Sequence, residues 1–387
     1  MVQRSGMAGR NARPGSETAR HAGAPMNILV MGGTQFNGLA LVHELARAGH
    51  GVTILNRGKT EAQLPSKIER LICDRTDHTA LKASLTGRDW DCVFDISAYR
   101  PEDVASMVEV LEGHTGHYIF ASSTVIYAAS DLLPISENHP VERGENQNAY
   151  GGNKLLCEDL LVKAWRERGF PMSIVAFSMV FGPHNIIPER EQRMFMRLKA
   201  GRKVMIPGGG QTIGQVGHVY DEARALRAMI QKPATFGRRY NLTGADYFTD
   251  TGYIDTFAEV MGIDPAHLEK VSIPGALMDD IYAGRYSFAE GPMEVLADTR
   301  SQESTRSQSL FQVNRIMPRL APNIHHWNRN VCFSIEKLKE DTGWRPEYSF
   351  RGAVEQTWQW MQSTGRDQRL KFDFEFEDRL ISEIENR

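Results

Sequence analysis

The amino-acid sequence predicts an α/β fold: a doubly wound, mostly parallel sheet with a smaller, partly interleaved C-terminal portion. Three observations predict it. An apolar run, a glycine-rich turn, a helix-length segment and a second apolar run follow one another at the start. Further apolar runs each end in a polar loop, as strands do at the carboxyl edge of a parallel sheet. Then Tyr150 and Lys154, four apart, open a helical segment and share one of its faces.

The elements follow in order. Residues 27–31 form a strand that ends at Gly32-Gly33-Thr34-Gln35-Phe36-Asn37-Gly38. Residues 39–46 form a helix closed by Gly49, and 52–55 a second strand. This βαβ unit suits a dinucleotide, because glycines let a pyrophosphate approach the helix N-terminus. Gly32 and Gly38 occupy outer positions of a Gly-x-x-Gly-x-x-Gly spacing, with Gln35 in place of the middle glycine. Thr34, Phe36 and Asn37 complete that turn. The second strand ends in Asn56-Arg57-Gly58-Lys59, with no carboxylate for ribose hydroxyls and two cations. The pattern leans toward NADP, although Asn56 could still bond a ribose.

Residues 71–73 and 92–94 are expected to be buried strands leading to Asp74 and to Asp95-Ile96-Ser97-Ala98-Tyr99. Pro101 begins a helix through Leu111. Residues 118–121 form a strand ending at Ser122-Ser123-Thr124, and the Tyr150 helix continues through Lys163. A phenol cannot act as a base at neutral pH unless a neighbour such as a lysine ammonium lowers its pKa. Residues 218–230 read as a helix and 240–242 as a late strand.

Hydrophobic content of 41%, charged content of 24% and a net charge of −3 describe a globular chain with no nucleic-acid or membrane footprint. Cys73, Cys92, Cys157 and Cys332 lack metal-ligand spacing, and no metal is expected. Residues 1–25 carry four arginines without an apolar stretch and read as a disordered extension, with Met26 as the functional start. Residues 184–210 and 246–370 are expected to cover the substrate, while 211–245 return to the first domain, 26–183. Residues 371–387 are expected to be a tail. The polar stretch within 274–330 reads as a lid.

Taken together, these motifs resemble the extended short-chain dehydrogenase/reductases of the NAD-dependent epimerase/dehydratase family, which have a Rossmann-type fold. Ser122–Tyr127 is similar to the family's Ser-Ser-x-x-x-Tyr segment, and Tyr150/Lys154 to its Tyr-x-x-x-Lys. Phe181-Gly182-Pro183, His218-Val219-Tyr220-Asp221, Asn241-Leu242-Thr243-Gly244 and Thr342–Pro346 also fit. The opening turn and Asn-Arg-Gly resemble the family's atypical branch, which includes chloroplast stem-loop RNA-binding relatives.

The resemblance implies that Tyr150 is the acid/base, that Lys154 lowers its pKa and bonds the nicotinamide ribose, and that Ser123 fixes the substrate oxygen. It implies a cofactor site that also includes Asp74, Ser97, Ala98 and Phe177, and a substrate side at Tyr99, Thr124, Met179, His184, Asn185 and His218. His325 and His326 are further candidates. Ala176, Met179 and Gly214 replace polar groups that often hold a nucleotide diphosphate, so a sugar, sugar phosphate or nucleoside becomes an alternative to a nucleotide sugar. Arg190, Arg193, Arg202 and Lys203 could substitute for them or form a solvated helix face, the second being preferred. Thr124-Val125 stands where dehydratases carry an Asp-Glu pair, and Glu158 reads as structural.

The expected activity is redox-neutral epimerisation or dehydration through a transient ketone, for which tightly bound NAD is the usual partner. An NADPH-dependent reductase of a small carbonyl or polyol is the alternative, and a non-catalytic RNA-associated protein the second. A cytoplasmic homodimer is expected.

Overall fold

The computed structural model describes residues 24–187, 190–282, 285–288 and 329–386. The expectation for the N-terminal extension, most of the expected lid, and His325 and His326 lie outside the described residues.

Seven strands form one parallel sheet: β1 (Asn27–Met31), β2 (Gly51–Asn56), β3 (Glu69–Ile72), β4 (Cys92–Asp95), β5 (Tyr118–Ser123), β6 (Met172–Phe177) and β11 (Arg239–Leu242). Their spatial order is β11-β6-β5-β4-β1-β2-β3. Chain order therefore reverses between β1 and β4, which leaves a crevice at their carboxyl ends. Register aligns that edge: Met31 lies opposite both Leu55 and Asp95, and Ser123 lies opposite Phe177.

Both faces are covered. α1 (Phe36–Arg47) and α6 (Val219–Ala228) pack on one, burying Leu41, Leu45, Leu226 and Met229 against Ile28, Val30 and Ile54. On the other lie α2 (His78–Leu85), α3 (Pro101–Leu111) and α4 (Ala149–Arg168), around Leu29, Val93, Tyr118 and Phe120. Continuous apolar strands follow from burial on two sides.

The strand at 71–73 was expected to be buried. It is instead the sheet edge, shifted to Glu69–Ile72, and Ile72 is 71% exposed. Among the described residues only β2 pairs with it, so a short apolar segment there has one neighbour rather than two.

Beyond the sheet, β8 (Val204–Pro207) pairs with β13 (Lys270–Ile273), β9 (Ile213–Gly214) with β12 (Phe248–Thr249), and β10 (Gly217–His218) with β7 (Val180–Phe181). Helices α5 (Glu191–Lys199), α7 (Asp250–Val260), α8 (Gly275–Tyr282), α10 (Phe350–Ser363) and α11 (Arg366–Arg369) lie among them, while α9 (Glu336–Thr342) packs on β11 of the main sheet. Residues 371–387, expected as a tail, contain α12 (Glu375–Glu385). Phe376, Leu380 and Ile381 bury against Met205, Ile273 and Met278.

That helix also corrects the reading of Arg193 as part of a solvated face, whereas Arg202 is exposed. Arg193 is 3% exposed and pairs with Glu377 at 2.6 Å, while Arg197 donates to Asp378 at 2.8 Å. Arg202 also pairs with Asp378, and Lys203 with Glu385.

A buried histidine gives the fold an acid limit. His117 accepts from the Gln231 N–H through Nδ1 (3.2 Å) and donates from Nε2 to Ser173 Oγ (2.8 Å). Burial pushes its pKa down to about 3. The folded value is below the unfolded one, so this contribution is intact above about pH 6.5 and falls as the unfolded chain takes up a proton that the fold refuses. Between pH 6.5 and 5 the loss is about 2 kcal/mol, at about 1.4 kcal/mol per pH unit. Urea unfolding of His117→Gln should show a slope of stability against pH shallower by that amount. An unchanged slope would contradict the assignment.

Candidate active site

The turn after β1 forms a cradle for an anion. Gly32 and Gly33 have φ of 109° and 86°, and the Gly32 N–H donates to Leu55 O at 2.8 Å. A Cβ on Gly38 would lie 2.6 Å from Ile96 Cδ1, 2.9 Å from Gly33 N and 3.0 Å from Gly33 Cα. Helix and strand therefore approach as closely as backbone allows. At the N-terminus of α1, Gln35 is exposed and makes no side-chain cap, and no acidic residue lies in the first turn. Its first N–H groups and the helix dipole stay available to an anion. Asn37 Oδ1 is buried without a hydrogen-bond partner among the described residues, Thr34 is buried, and Phe36 takes φ 37°. These features fit a dinucleotide pyrophosphate.

The loop after β4 lies against this turn, with Ser97 Cβ 3.6 Å from a Cβ built on Gly32. Beneath it, Arg75 donates to both Asp95 oxygens (2.7 and 2.8 Å) and to Ser97 Oγ (3.0 Å), and the Tyr118 hydroxyl donates to Asp95 (2.6 Å). Burial alone would push the Asp95 carboxyl up, but Arg75 holds it below the usual range. Arg75 was not singled out from the sequence; its partner is 20 residues away, and only strand order brings them together.

Lys154, on α4, is 3% exposed. Its Nζ donates to Ala98 O at 2.7 Å, in the loop after β4, and to Ala121 O at 2.6 Å, within β5. Asn148 caps α4 by accepting from the Gly151 N–H, which sets Tyr150 in the first turn. Lys154 Nζ lies 5.6 Å from the Tyr150 ring centroid and 5.0 Å from that of Tyr99, and the two tyrosine rings are 6.1 Å apart. Ser123 lies close enough to the Tyr150 phenol to draw its pKa down, and it also caps the turn carrying buried Thr124. Phe177 borders Ser123 on β6.

The expected electrostatics differ in one respect. Burial pushes Tyr150 up to about 12; Tyr99 adds to this, while Ser123 and Arg190 oppose it. Lys154, brought down to about 8 by burial, spends its N–H groups on two carbonyls rather than on the phenol.

Other residues have different partners. Asn56 bonds Gly32 O, Gly58 N and Arg70, while Arg57 and Asp74 are exposed. Asn185 bonds both Glu191 oxygens at 3.0 Å. His218 bonds Gln356 at 3.1 Å and lies 4.0 Å from Tyr348, and burial brings its pKa down to about 4. His184 is exposed beside Trp360, and Met179 packs between two apolar clusters. Glu158 is buried between Ser122 and Arg239. Sequence reading missed Glu191, whose carboxyl burial raises to about 7 beside Arg190. No local motif marks it.

The profile of the NAD dependent epimerase/dehydratase family matches residues 28–243. The chain belongs to that family. A chloroplast stem-loop binding protein of 41 kDa from Arabidopsis thaliana is 34% identical over 254 residues, which cover 62% of this chain and 65% of that protein, just under two thirds of its length. A UDP-glucose 4-epimerase from Corynebacterium glutamicum is 20% identical, over 88% of this chain and 97% of that one. The structure of a UDP-glucose 4-epimerase with UDP-glucose from Thermotoga maritima superposes with TM-score 0.64 at 18% identity, over 88% of this chain and 99% of that one. At that identity the likeness shows the fold.

Gly38→Ala should weaken dinucleotide binding at least about tenfold, because the methyl meets backbone that cannot move aside. Calorimetric titration with NAD and NADP checks this, and wild-type affinity in the variant would contradict it.

Proposed function

We propose that this chain is a redox-neutral epimerase or dehydratase acting on a sugar, sugar phosphate, nucleoside or nucleotide sugar through a transient ketone. The observation that carries the reading is the convergence of Ser123, Tyr150 and Lys154 beside the glycine cradle. The dinucleotide, when bound, supplies reversible hydride exchange with a substrate carbon.

The chain's own residues handle protons and position. Ser123 holds the substrate oxygen, and Tyr150 exchanges the hydroxyl proton. With its pKa raised to about 12, Tyr150 waits as a proton donor. To act as a base it must be brought nearer working pH, for which a charge at the closed site is required. Lys154 is the nearby cation for that role, once one of its N–H groups turns from carbonyl to ligand. Ala176 is fully buried, Met179 is apolar and Gly214 has no side chain, which favours a substrate smaller than a nucleotide sugar. Arg190 reinforces an anionic substrate such as a sugar phosphate: its charge acts on Tyr150, and its Nε is buried without a partner among the described residues.

Two other readings each rest on an observation. The cation-rich end of β2 favours an NADPH-dependent reductase, and the Arabidopsis relative's name favours an RNA-associated role. Product NMR on a panel of sugar phosphates, nucleosides and nucleotide sugars, with absorbance followed at ~340 nm, the band of the reduced nicotinamide, separates all three. The proposal expects a new sugar product without net reduced cofactor. Tyr150→Phe should lower turnover by about 10²–10⁴-fold while dinucleotide affinity stays unchanged. Stoichiometric NADPH consumption, or stem-loop RNA binding without turnover, would overturn it.

A further inference from the structure

We infer that Arg70 selects the cofactor, by turning the end of β2 from an acceptor of a ribose diol into a seat for a phosphate on that ribose. The inference rests on the reading that the cleft takes a dinucleotide.

A side chain at the end of the second strand recognises an unmodified adenosine ribose by accepting hydrogen bonds from its hydroxyls. Asn56 stands there, and its acceptor is already filled. Oδ1 receives the Gly58 N–H at 2.9 Å, Arg70 Nε at 3.1 Å and Arg70 Nη2 at 2.9 Å. A carbonyl oxygen has two lone pairs, so three donors saturate it. The amide nitrogen donates to Gly32 O at 3.1 Å. Turning the amide over would face its NH₂ toward three donors and its oxygen toward a carbonyl, so the orientation is fixed by its surroundings. Asn56 thus ties the cradle turn to the edge strand and has no acceptor left for a diol.

The residue that fills Asn56 also brings charge. Arg70 is half-buried on β3, and its Nη2 makes a further bond to Thr60 O at 3.0 Å. Its described partners are neutral oxygens, which leave the guanidinium charge uncompensated. Arg57 and Lys59 are exposed on the same turn and close no ion pair with a described residue. A carboxylate within electrostatic reach of both is Asp74, which accepts from the Thr76 N–H (3.0 Å) and hydroxyl (2.9 Å). Arg57, Lys59 and Arg70 put three cations on this turn and the strand beside it, and a phosphate monoester suits them. Arg70 therefore acts twice, through Asn56 against the diol and through its charge for the phosphate.

Calorimetry with NADP⁺, NAD⁺ and the two adenosine halves, 2′,5′-ADP and 5′-AMP, tests this on the unmodified protein. NADP⁺ and 2′,5′-ADP should bind at least about tenfold tighter than their counterparts. In Arg70→Gln the NADP⁺ affinity should fall at least about tenfold while NAD⁺ affinity holds or rises, because the Asn56 acceptor is freed for the diol. Arg70→Lys, which keeps charge but loses the fork on Asn56, should retain most phosphate preference and gain affinity for NAD⁺. Equal binding of NAD⁺ and NADP⁺ by the wild type would overturn the inference while the dinucleotide reading stands. So would an Arg70→Gln variant that weakens both alike, the signature of a strut between β2 and β3. If neither dinucleotide nor either half binds, the dinucleotide reading and this inference fail together.

Discussion

Much of the site depends on one buried ammonium. Lys154 is removed from water on α4 and is stabilised by two carbonyls, Ala98 O in the loop after β4 and Ala121 O within β5. Burying an amine is costly unless it is paired or hydrogen-bonded, and its fall to about 8 expresses that cost. The two bonds fix α4 over the carboxyl edge of the sheet, so Tyr150, one turn earlier, projects over the crevice where strand order reverses. Ser123 ends β5, two residues past the carbonyl that Lys154 holds. Helix, strand end and loop are thereby positioned by a single side chain.

This arrangement explains why the phenol is not yet a base. The features that bring Tyr150 to the crevice also bury it, and burial favours the neutral hydroxyl. A site that is dry and only partly supplied with charge holds a proton donor. Its conversion to an exchanger at working pH requires the charge and hydrogen bonds that a bound ligand adds.

The first half of the chain was legible because its signals are local. The run at 27–31, the glycine turn, the Pro101–Leu111 helix and the Tyr150–Lys154 spacing each specify one element through its own residues. What escaped depends on topology. The edge position of β3 follows from strand order, which apolarity at 71–73 does not encode. Arg193 and Glu377 meet across 184 residues, so Arg193 seemed part of a solvated face when α12 in fact buries it. Asn56 looked free to bond a ribose because Arg70 lies on a different strand. Asn185 and His218 have the right chemistry for a substrate but are held by Glu191 and Gln356. Polar residues invite a functional reading from sequence, and only the fold shows which are already spoken for.

Titration of Tyr150 itself tests the account most directly. With [ζ-¹³C]tyrosine labelling, and Tyr150→Phe to assign the resonance, the ring should titrate at about 12 in the free protein. With dinucleotide bound it should titrate below about 9, where proton exchange can support turnover. A Tyr150 resonance that remains protonated above that pH in the complex would contradict the proton chemistry assigned to this site.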